Sequence, residues 1–156
     1  EETALSIWLR ESAVAFFGSL TIHSLAMALV VGINIAINLR LVGFLPRFPL
    51  APLFRFYRLH WFAAVVIFLS GLSLLMAYPA KALTNPVFYL KLSALVTALL
   101  ISRYFQKMLA LTGENFELER LVPRLAYLSL VLWIVTVAAG RFLAYTHSVL
   151  LASRFY

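Results

Sequence analysis

The sequence predicts an all-α protein, a four-transmembrane-helix bundle with almost no part outside the bilayer. Of its 156 residues, 63% are hydrophobic and only 12% are charged, and the mean hydropathy is +0.95. A soluble domain carries about 25% charged residues. A water-facing surface cannot be built from this composition, so lipid must solvate most of the exterior. Four apolar stretches each reach the roughly 20 residues that span a bilayer, and proline-rich or acidic breaks separate them.

A short interfacial helix is expected first, over about 4–11. There Leu5, Trp8 and Leu9, continued by Phe16, recur at helical spacing among Glu1, Glu2 and Glu11. Spans follow over about 13–39, 59–78, 87–111 and 121–151. Between the first two, Pro46, Pro49 and Pro52 cannot continue a helix. Phe44, Phe48, Phe54, Phe56 and Tyr57 alternate there with Arg47 and Arg55, which marks that connection as interfacial. The second break ends in Asn85-Pro86, a cap followed by proline at the first helical position. The third holds Gly113 with Glu114, Glu117 and Glu119, three of the six acidic residues. Residues 1–156 thus make a single membrane domain, with no room for an ATPase or a Rossmann unit beside it. No basic stretch precedes the first span in the manner of a cleavable signal.

Cysteine is absent, which excludes disulfides, thiolate metal sites, iron–sulfur clusters and covalent haem attachment. The net charge of +7 is assigned to membrane boundaries and anionic headgroups, not to nucleic acid. Arg40, Arg47, Arg55, Arg58, Arg103, Lys107, Arg120 and Arg124 gather on one side, while the opposite connection holds Lys81, with Lys91 a turn inside the third span. The excess of basic residues places the arginine-rich loops in the cytoplasm and both termini in the periplasm of a bacterial inner membrane.

Polar groups are costly in hydrocarbon, so each one within a span points to a site or to a helix contact. His23, Met27, Val30, Asn34 and Asn38 share one face of the first span, which should turn inward. On the fourth span Arg141 and Tyr145 share a face, and Gly140, Ala144 and His147 share another. His23 stands seventeen residues from Arg40, and Arg141 seventeen from Arg124. At 1.5 Å per residue both lie about 25 Å from the arginine-rich boundary, at one level in the periplasmic half. An imidazole and a guanidinium at equal depth suit a carbonyl, a propionate or an anionic headgroup, and hence a quinone, a lipid or a cofactor edge. His147 lies about 9 Å further out. That offset weighs against a haem b held between His23 and His147, although Gly18, Ser19, Gly140 and Ala144 would make room for one. Copper(I) held by His23, Met27 and Met76 is chemically sensible, because thioether and imidazole suit that ion. Asn34 and Asn38 are expected to make interhelical hydrogen bonds, Lys91 to snorkel, and His60-Trp61 to sit in an interfacial belt near the cytoplasmic rim. The spans contain no acidic residue and no catalytic constellation, so the chain is not expected to be an enzyme.

Several strings resemble an uncharacterised family of bacterial four-helix integral membrane proteins, described as a domain of unknown function. They are Thr21-Ile22-His23, Gly32 and Asn38-Leu39-Arg40-Leu41-Val42-Gly43, then Trp61 and Gly71, then Asn85-Pro86, Phe88 and Lys91, and finally Trp133, Gly140-Arg141 and Ala144-Tyr145. The resemblance covers about residues 15–146 and implies the fold without an activity. It also implies Asp where Asn38 stands, and a histidine where Ser102-Arg103-Tyr104-Phe105 stands. A looser likeness in layout extends to copper-resistance membrane proteins and small b-type cytochromes.

The expected function is that of a non-catalytic, multi-pass inner-membrane subunit of a larger assembly, for electron transfer, in contact with membrane lipids and other membrane subunits. Its site would be a periplasmic-side pocket of His23, Arg141 and Tyr145 receiving a quinone, a lipid or a cofactor edge. The alternatives are a self-contained haem b electron carrier using His23 and His147, a structural lipid-binding subunit, and a copper-binding membrane protein.

Overall fold

Without water to hydrogen-bond them, the backbone groups of long apolar segments must pair internally, and a helix does this within one segment. The computed structural model describes residues 3–112 and 120–152, with the side chains of 112, 144 and 146–152 left aside. Its elements are α1 (Ala4–Glu11), α2 (Ala13–Leu41), α3 (Leu50–Arg55), α4 (Tyr57–Ala77), α5 (Pro79–Leu83), α6 (Pro86–Thr112) and α7 (Leu121–Ala152). Four helices are long and apolar enough to cross a membrane.

Thr3 caps α1 by accepting from the Ser6 amide at 3.3 Å. Ser6 and Leu9 turn inward while Leu5 and Trp8 stay exposed, the one-sided pattern of a helix lying on the end of a bundle. The Ser6 hydroxyl then ties α1 to the end of α4 by donating to the Met76 carbonyl at 2.8 Å. Helix α2 stops at Gly43, whose φ of 84° is open to glycine at little steric cost. The Gly43 and Phe44 amides bond back to the Arg40 and Leu39 carbonyls, which satisfies acceptors at the helix end.

The proline-rich connection is not wholly irregular, because α3 forms inside it. Pro49 stands before the helix and Pro52 falls in its first turn, where an amide would have no helical partner in any case. Asn85 behaves as expected of a cap: its side-chain oxygen accepts from the Val87 amide at 2.9 Å, with Pro86 opening α6.

Helix α2 packs closely on α4 and α7, and α6 packs on α7. The consecutive spans α4 and α6 do not pack closely on each other. Long side chains bridge that seam, as where Trp61 Nε1 donates to Gln106 Oε1 at 2.8 Å. Only 22–28% of each span's most apolar window is buried within the chain. Phe62, Phe68, Leu100, Ile134 and Phe142 are among the large residues left outside, an exterior suited to lipid.

Candidate functional site

Two polar tiers cross the bundle, and each of the four long helices contributes to both. The first contains His23 of α2, Ser70 and Gly71 of α4, Lys91 of α6 and Gly140 of α7. Ser70 donates to the Val66 carbonyl at 2.6 Å, so its oxygen is left to accept from His23 Nδ1, 3.0 Å away. The Ile67 carbonyl, which can only accept, also faces the ring. The His23 proton therefore sits on Nδ1, and the Nε2 lone pair is presented to Lys91 Nζ at 3.5 Å.

Gly71 gives the imidazole room, and Gly140 faces the lysine. A β-carbon on Gly71 would stand 3.2 Å from His23 Cε1, and one on Gly140 would stand 3.6 Å from Lys91 Cε and Nζ. The imidazole thus lies against one bare backbone and the lysine tip against another. Lys91 pairs with no carboxylate among the described residues, and no acidic residue occurs in any span.

The second tier lies eleven residues along every helix from the first: His23 to Asn34, Gly71 back to His60, Lys91 to Ser102, and Gly140 back to Ser129. Eleven residues are about three turns, so the two sets share a face and stand roughly 16 Å apart. Asn34 donates to His60 Nδ1 at 2.9 Å and accepts from the Ser102 hydroxyl at 2.6 Å. Asn38 donates to Ser129 Oγ at 2.9 Å. Between the tiers lies an apolar layer in which Trp133 is buried with Ala26, Val30, Ala63, Ile67 and Ala98.

Among protein families, residues 10–146 match the family of unknown function DUF6644. The chain belongs to that family. The match takes in both tiers and all four spans. No curated protein and no solved structure matches the chain.

Within this family member, the inward face expected for α2 is realised: Val30, Asn34 and Asn38 are buried, and His23 and Met27 are half-buried. The asparagines make the interhelical bonds expected of them. Arg141, by contrast, is exposed on the outside of α7, and Tyr145 is 63% exposed one turn along. Gly140 stands beside Lys91, and Lys91 reaches His23. The residue after Gly140 is turned away by about 100°, so Lys91 occupies the inward place assigned to Arg141. Lys91, expected to snorkel, is half-buried and turns toward His23 and Gly140. His60, expected in an interfacial belt, turns into the bundle near the start of α4. It is fully buried, with its ring edge-on to Tyr57 and Trp61.

The side chain of His147 lies outside the described residues. The α7 residue level with His23 is Gly140, about two turns before it. Met76 is exposed near α1, whereas Met27 packs against the central apolar cluster. No cluster of three or more His, Cys, Asp or Glu residues able to hold a metal occurs among the described residues. Ser70 beside His23, Lys91 beside His23 and His60 beside Asn34 are pairings that the sequence expectations do not include. The eleven-residue spacing of His, Asn, Lys, Ser and Gly on four helices is the signal that would have found them.

Proposed function

We propose that this protein is a non-catalytic membrane subunit whose first tier holds the oxygen-bearing head of a quinone or quinol within an electron-transfer assembly. One observation carries the reading: a lysine within a span, with no acidic residue in any span to balance it, stands 3.5 Å from His23 Nε2. A phosphate would favour two donors. Here a donor stands beside an acceptor, which suits a quinone carbonyl receiving from Lys91 and a quinol hydroxyl donating to His23. Ser70 keeps the imidazole in the accepting tautomer. The loose α4–α6 seam supports entry from the bilayer, and the exposed Arg141 and Tyr145 suit an anionic headgroup or a neighbouring subunit at the same level.

Titration of the purified protein in lipid nanodiscs with a short-tailed quinone tests this. Loss of one charge-assisted or buried hydrogen bond is worth about 1.5–3 kcal/mol. His23→Ala and Lys91→Met should therefore weaken binding by about 10- to 100-fold, while Lys107→Met leaves it unchanged. Equal binding by all four proteins would remove the site. A reduced-minus-oxidised haem band pair in the isolated protein would replace the quinone with haem b.

The membrane orientation is proposed on the arginine bias alone. With no native cysteine to interfere, single cysteines at Thr3 and Arg120 should react with an impermeant reagent from the periplasmic and cytoplasmic sides respectively. Labelling of Arg120→Cys from the periplasm would invert the assignment.

A further inference from the structure

The second tier contains buried donors that the described residues do not satisfy. Asn34 Nδ2 donates both to the Val30 carbonyl at 2.8 Å and to His60 Nδ1 at 2.9 Å. Asn34 Oδ1 receives the Ser102 hydroxyl at 2.6 Å. Turning the amide over would aim its oxygen at the Val30 carbonyl, so the observed orientation is the one that suits all three partners. His60 Nδ1 is therefore an acceptor, and the single ring proton sits on Nε2. That Nε2 is buried without a hydrogen-bond partner among the described residues, and so is the Tyr57 hydroxyl. The two rings meet edge-on with centroids 5.3 Å apart, and the Tyr57 hydroxyl lies beside Ser102. His60 has no exposed surface and Tyr57 is 3% exposed, so neither group can reach outside solvent.

We propose that the second tier encloses an ordered water molecule, which accepts from His60 Nε2–H and bonds to the Tyr57 hydroxyl. An unsatisfied donor in hydrocarbon is costly, and native proteins commonly answer that cost with an internal water. Such a water needs two to four polar partners. His60 Nε2, Tyr57 Oη and Ser102 Oγ supply three candidates. His60 and Tyr57 are both buried within the bundle, away from the lipid-facing exterior by which a quinone or a porphyrin would arrive. An anion would bring a charge that His60, locked as a neutral ring by Asn34, does not offset. Water is small, neutral and both donor and acceptor, as these partners require. The tier is thus a hydrated point in the half of the bundle nearer the arginine-rich loops, and it is independent of the His23–Lys91 site.

The test is an experimental map of the intact protein at about 2 Å, paired with Tyr57→Phe, because His60→Phe would remove the centre of the tier and put the fold at risk. A peak within about 3 Å of His60 Nε2 that also contacts Tyr57 Oη supports the proposal. Its loss or displacement in Tyr57→Phe, with the unfolding temperature lowered by about 2–4 °C, supports it further. A wild-type map in which His60 Nε2 donates directly to a protein group, or has no neighbouring peak, overturns it. So does a Tyr57→Phe protein that keeps the peak in place and unfolds at a higher temperature.

Discussion

Trp133→Ala should destabilise the bundle by about 3–5 kcal/mol, the range for emptying the site of a fully buried large aromatic. Trp133 has no exposed surface, and its cluster includes Ala26, Ala63 and Ala98. These small residues create the space that the indole fills, and none is long enough to collapse into the void. Lipid provides no hydrophobic drive to close the gap, because its tails are as apolar as the core, so the loss is one of van der Waals packing. Trp133→Phe separates volume from polarity. It keeps an aromatic ring and removes an indole N–H that has no partner among the described residues, so it should cost less than about half as much as alanine. Unfolding in mixed micelles at increasing sodium dodecyl sulfate concentration would measure both. An alanine variant within about 1 kcal/mol of wild type would show that the apolar layer is not close-packed around Trp133.

Asn34→Leu should cost about 2 kcal/mol, well above the average of about 0.6 kcal/mol for a hydrogen bond between membrane helices. The excess arises because one amide serves two other helices. It donates to His60 of α4 and accepts from Ser102 of α6. Its removal leaves His60 Nδ1 buried with a lone pair and no donor, which is the expensive side of losing a hydrogen bond. Ser102 suffers less, since its hydroxyl is also 3.0 Å from the Ala98 carbonyl. The double variant Asn34→Leu/His60→Phe should consequently cost less than the sum of the single changes, with a coupling of about 1 kcal/mol. Strict additivity in that cycle would show that the two side chains do not depend on each other.

The number of spans was readable from the sequence because it follows from quantities that add along the chain. Apolar length, proline position and charge content are local, and the bilayer sets the required length without reference to partners. The Asn85-Pro86 start of α6 was readable for the same reason: a cap involves only a few neighbouring residues. Helix α3 is not readable in that way, because Pro46, Pro49 and Pro52 together read as a uniform break. Pro52 within a first turn costs a helix little, and only its position relative to the helix start shows that.

The side-chain partnerships were a different matter. Helical periodicity placed His23, Asn34 and Asn38 on one inward face and put His23 level with the Gly140–Arg141 step. It could not tell which of two adjacent residues on α7 turns inward, because a rotation of about 100° is set by packing against α2 and α6. Gly140 faces in and brings its backbone into van der Waals range of Lys91, 3.6 Å from the position its β-carbon would take, and Arg141 is left outside. His60 is a related case. Its nearness to the start of α4 suggests an interface, but the side chain turns inward, where Asn34, Tyr57 and Trp61 surround it. Composition and period thus determined four membrane helices and the inward face of the first. Helix rotation, fixed by side chains that meet across the bundle from distant parts of the sequence, decided that His23 meets Lys91 and Ser70, and that Asn34 meets His60 and Ser102.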